Sequence, residues 1–113
     1  MSVHKDLVLK ARMRLMGHNE RILTGEEGLW VYRILFTVSP RVHAYKLAYV
    51  LRELSETDPR AARVPEVRRA LLEEARAVAA RIPADAPAHQ RRMWDHTVAE
   101  LRDIERRLGR AQL

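Results

Sequence analysis

Leu29-Trp30-Val31-Tyr32-Arg33-Ile34-Leu35-Phe36-Thr37-Val38, followed by Ser39-Pro40, is the stretch on which the fold turns. It is short, apolar almost all round, and rich in β-branched and aromatic residues, which describes a buried strand as well as a buried helix. A strand needs a partner, and nothing else in the chain resembles one. The reading is therefore a central, largely buried helix; a strand swapped or paired between chains is the other reading. Ser39-Pro40 marks a restart, with Ser as N-cap and Pro at the first helical position.

Outward from this stretch the apolar residues keep helical spacing. Before it, Val3, Leu7, Val8, Ala11 and Leu15 predict a helix from Val3 to Met16 that stops at Gly17. A loop or short turn over His18–Gly28 follows, and Thr24 with Glu27 three residues on has the form of a capping box. After it, the third helix should run to about Ser55 with Ala44, Leu47, Ala48, Leu51 and Leu54 inward. Thr57-Asp58-Pro59 breaks the chain. Val64-Pro65 opens a fourth helix that buries Val67, Leu71, Ala75, Val78 and Ile82. Pro83–Pro87 is a stiff connection, and a fifth helix from Pro87 to Leu108 ends at Gly109. On it Trp94, Thr97, Leu101, Ile104 and Leu108 form a narrow, heptad-like seam. No repeat or long linker divides the 113 residues. The expectation is an all-α fold: a single compact bundle of about five helices, one domain over residues 1–113.

Composition narrows the chemistry. With no cysteine, disulfide scaffolds, thiolate zinc sites, iron–sulfur clusters and Cys nucleophiles are excluded. No apolar run approaches the ~18–20 residues of a membrane span, so no membrane is expected. The short apolar run Leu7-Val8-Leu9, followed at once by Lys10, Arg12 and Arg14, is no signal-peptide core, and the expected location is cytoplasmic. Twenty-one Lys and Arg against fifteen acids give +6 at pH 7, an attraction to polyanions: nucleic acid or an acidic protein partner. The charge is spread, with 11 bases and 7 acids in residues 1–63 and 10 and 8 in residues 64–113. Arg outnumbers Lys 18 to 3 beside 15 Ala, a bias that high-GC coding also produces; Arg nevertheless grips phosphate bidentately.

Catalytic signatures are missing. There is no Gly-x-Ser-x-Gly elbow, no Walker loop and no Gly-x-Gly-x-x-Gly. Glu26-Glu27 and Glu73-Glu74 are neighbours in sequence, so on a helix they point apart and make poor acid–base dyads. His89, His96 and Glu100 share one stripe of the last helix, where ion pairs on an exposed face explain them without a metal. No catalytic residue, metal or cofactor is expected.

The informative cluster is aromatic. Trp30, Tyr32, Phe36, Tyr45 and Tyr49 fall within twenty positions, together with His43. Core packing explains such residues, yet with Leu47, Leu51 and Leu54 inward, Val42, Tyr45 and Tyr49 turn outward among Arg41, Lys46, Arg52 and Glu53. Three readings follow. The first is a basic nucleic-acid-binding module, a small regulator or nucleoprotein subunit, whose face is Arg41, Tyr45, Lys46, Tyr49 and Arg52. The same face also suits an acidic partner, and a helix-turn-helix with Arg41, His43 and Lys46 leading the reading helix is one form of it. The second is a protein–protein adaptor or homo-oligomeric scaffold, including a homodimer, built on the 94–108 seam. The third is a small helical enzyme or ligand binder with a pocket around Trp30, Tyr32, His43 and Tyr45.

Overall fold

The computed structural model describes residues 3–16 and 22–112, and among these every regular element is helical. In order they are α1 (Val3–Met16), α2 (Gly25–Val38), α3 (Pro40–Thr57), α4 (Pro59–Arg63), α5 (Pro65–Ala79) and α6 (Ala88–Gln112). The helix stop expected at Gly17 lies outside the described residues.

The stretch 29–38 is a helix, and its burial pattern shows why. Gly28, Val31, Tyr32 and Leu35 are the buried positions of α2, spaced i, i+3, i+4 and i+7. Two contacts clasp its start. The Tyr32 hydroxyl is fully buried and accepts the Leu23 N–H at 3.0 Å. Gly28 lies so close to the Leu23 carbonyl that a Cβ would overlap it, with Val50 of α3 on the other side. Gly25, at φ +73°, makes the left-handed entry into the helix that a side chain would resist. Thr24 is the N-cap but makes no side-chain cap bond, and Glu27, the other half of the expected box, is ion-paired with Arg14 of α1.

Ser39 alone separates α2 from α3; its N–H donates to the Leu35 carbonyl at 2.9 Å, and Pro40 takes the first helical position. Its hydroxyl makes no cap bond. α3 is the central element, packed on α2, α4, α5 and α6. All five residues of its expected inward stripe are buried, joined by Val50 and Ser55.

The break at Thr57-Asp58-Pro59 is real but brief. The Asp58 carboxylate accepts the Arg60 N–H at 2.8 Å and caps a one-turn helix, α4, so there are six helices rather than five. α5 starts at Pro65 as expected but ends at Ala79, leaving Ile82 in the connection, and it buries Leu72 in addition to Ala75 and Val78.

The seam of α6 is core. Met93, Thr97, Leu101 and Ile104 are buried against α5 and α3, with Leu101, Ile104 and Leu72 forming a small second core cluster. Two expectations fail here. Trp94 is 41% exposed, since Met93 occupies the inward position one turn before Thr97 and places Trp94 about 100° off the seam. Gly109 does not end the helix, which continues to Gln112. At 25 residues α6 is about 37 Å long, and it stretches the molecule to 52 × 31 × 26 Å.

Candidate nucleic-acid interface

The outward residues of α3 do not form one face. Successive residues on a helix step by 100°, so Arg41, Tyr45 and Arg52 fall on one flank while His43 and Lys46 fall on the other. The first flank meets α6 and the connection before it; the second lies on the side where the charge of Arg12 of α1 reaches His43.

On the α6 flank the charged and aromatic side chains are engaged with neighbours, although Arg52 Nε and Glu100 Oε2 are buried without a hydrogen-bond partner among the described residues. Arg52 is ion-paired with Glu100, both side chains only about a fifth exposed, and its Nη1 lies 3.3 Å from the Met93 sulfur. Tyr45 is half-buried, edge-on to His89 with ring centres 5.5 Å apart, and tilted against Tyr49 at 6.3 Å. Arg41 is exposed, with Asp85 at 3.8 Å. Tyr49 borders a shallow hollow shared with Arg52, Glu53, Glu56 and Met93, so its surroundings include two carboxylates. Arg52 therefore ties α3 to α6 and is not a surface contact. His89 and Glu100 are engaged by Tyr45 and Arg52, and among the described residues no three His, Asp or Glu converge as metal ligands.

The α1 flank is different. His43 is half-buried, and its pKa is lowered from the ordinary 6.5, first by that burial and then by the positive charges of Lys46 and Arg12. Neither Arg12 nor Lys46 has a carboxylate within ion-pair distance among the described residues. Arg12 also borders a hollow of about 360 Å³ whose other walls are His4, Lys5, Val8, Leu9 and Val38, none of them acidic. His4 Nε2 lies 3.4 Å from the Thr37 hydroxyl, holding the start of α1 to the end of α2. Arg12 thus joins the hollow to the His43–Lys46 pair, giving a cationic surface across α1 and the start of α3.

Arg12 was not among the residues the sequence singled out. Its signal was the helical register that puts Lys5, Leu9, Arg12 and Met16 on one side of α1, which carries meaning only once α1 is known to lie beside His43. On α1 itself the inward stripe is narrower than expected: Val8 and Ala11 are buried, Leu15 partly so, and Leu7 is exposed.

The expected pocket around Trp30, Tyr32, His43 and Tyr45 does not form. Tyr32 is sealed in the core, Trp30 is 39% exposed two residues away on another side of α2, and His43 and Tyr45 face opposite flanks of α3. The paired glutamates are all in surface ion pairs: Glu26 with Arg60, Glu27 with Arg14, Glu73 with Arg69 and Glu74 with Arg33. No described helix is long and apolar enough to cross a membrane. No protein-family model matches the chain, and no curated protein and no solved structure matches it either.

Proposed function

We propose that the chain binds a nucleic-acid backbone through the α1–α3 surface, with Arg12 and Lys46 as the phosphate contacts and His43 between them. The observation that carries this reading is that the charges of Arg12 and Lys46, from two helices, both reach His43 while neither has an ion-paired carboxylate among the described residues. Several other surface arginines, Arg14, Arg33, Arg60, Arg69 and Arg107 among them, sit beside acids. Uncompensated, closely spaced cations on separate elements repel each other and gain most when a polyanion bridges them. The exposed apolar groups beside them, Leu9, Val38 and Val42, suit contact with sugars and base edges.

The test is binding of labelled single- and double-stranded oligonucleotides, followed by fluorescence anisotropy across a salt series. With about three phosphates contacted, affinity should fall about 40-fold between 50 and 200 mM salt, and removing Arg12 or Lys46 should reduce the slope of log affinity on log salt by about one. Binding that ignores salt, or none at low salt, contradicts the proposal.

One observation favours a second reading, contact with another protein. Leu9, Met13 and Met16 stand at i, i+4 and i+7 on α1 and are 58, 60 and 80% exposed. A Met13→Glu variant that lowers the mass seen in sedimentation, with oligonucleotide affinity unchanged, would support this reading over the first. The 94–108 seam that suggested an adaptor is occupied within the chain.

A further inference from the structure

At the other end of the molecule, α4, the start of α5 and the end of α6 enclose a cleft of about 490 Å³, within the range of small-molecule sites. Its floor is apolar: Ala61 and Ile104 are buried, and Pro65 and Leu108 line the walls. No aromatic ring borders it. Arg68 lines this apolar space, and its Nε is buried with no hydrogen-bond partner among the described residues. A buried, unpaired donor on a charged group is costly, so the site is complete only with an acceptor.

Neighbouring charges define that acceptor. Arg107, also lining the cleft, is paired with Asp103 at 3.0 Å. Glu56 borders the cleft as well, yet it does not reach ion-pair distance of Arg68, and its own charge disfavours a doubly ionised group such as a phosphate monoester. A single guanidinium with an unpartnered Nε, beside a resident carboxylate, matches a single negative charge, and the Ala, Pro, Ile and Leu surface matches an alkyl chain. We infer that this cleft binds a small aliphatic carboxylate, its carboxylate on Arg68 and its chain against Ala61, Ile104 and Leu108. The site lies apart from the α1–α3 surface, and neither reading depends on the other.

The experiment titrates the full chain with octanoate and, separately, with 1-octanol, following backbone amide shifts. The expected result is saturable binding of octanoate with shifts concentrated in residues 55–68 and 101–108, and about tenfold weaker binding of the uncharged alcohol. Arg68→Met should erase that preference while the protein still melts cooperatively. Equal affinity for the two ligands, shifts centred on α1 instead, or no saturation with octanoate overturns the inference. The comparison of ligands on the unaltered protein decides the matter even if the variant fails to fold. An unchanged preference in a folded Arg68→Met also overturns it.

Discussion

The two flanks of α3 carry similar residues and have opposite characters. Toward α6, Arg52 and Arg41 each face a carboxylate, and Tyr45 lies against His89. Toward α1, the charges of Lys46 and Arg12 both reach His43, and neither cation has an ion-paired carboxylate among the described residues. The lesson is that formal charge is a poor guide to available charge. The net +6 is spread along the chain, yet several arginines join helices: Arg14 to α2, Arg33 to α5, Arg52 to α6. On the α1 flank Arg12 and Lys46 have no ion-pair partner among the described residues, and the charges of both reach His43.

Both flanks depend on α2, which holds α1 on one side and α3 on the other. The largest effect is therefore expected from Gly28→Ala, whose new methyl group would overlap the Leu23 carbonyl, a backbone atom that cannot swing aside. Urea denaturation should show a loss of about 3 kcal/mol, the upper end for overpacking, and oligonucleotide binding should weaken with it. A variant as stable as the parent would show that the α2 clasp does not support the two flanks.

Next in size is Arg52→Ala, which strands the Glu100 carboxylate at a site about one-fifth exposed. The expected cost is about 2 kcal/mol, below the range for a fully buried pair because solvent still reaches both groups. Denaturation should register this while nucleic-acid affinity stays within about twofold. A large loss of affinity without loss of stability would move the binding surface to the α6 flank.

How much of this was legible in the sequence follows from where the information resides. Ser39-Pro40, the α3 stripe from Ala44 to Leu54, and the helical character of most segments are local patterns, and they were readable. Of the expected capping box, Thr24 makes no side-chain cap bond, and the Glu27 carboxylate is held by a partner 13 residues earlier, Arg14. Trp94 fits the seam by its three-residue step to Thr97, although Met93, four residues before Thr97, takes the buried position. Gly109 was read as a stop because glycine often ends helices, but a helix stops only where something satisfies its last carbonyls. Of the five residues expected on one face, Arg52 was misplaced outright, since only the packing of α6 reveals Glu100 opposite it. Arg12 was invisible for the same reason.

The smallest effect concerns pH. His43 has a lowered pKa in the folded chain, so it binds fewer protons than in the unfolded chain between that lowered value and 6.5. Its effect on stability is thus absent above 6.5 and grows unfavourable as pH falls below it. A bound phosphate should raise the His43 pKa, so the complex takes up a proton and affinity should increase, by less than about tenfold, from pH 7.5 to 5.5. His43→Gln should remove that increase. A pH dependence that survives the substitution would assign it to another group.

The most direct measurement compares two charge-matched double variants in oligonucleotide binding at low salt. Arg12→Ala with Lys46→Ala removes two unpaired cations from the α1 flank, and Arg41→Ala with Arg69→Ala removes two that sit beside acids. The first pair should weaken binding about 100-fold and the second by less than about threefold, although net charge falls equally in both. Equal losses would mean that overall charge, and not the arrangement of Arg12, His43 and Lys46, draws the nucleic acid, and would contradict the account.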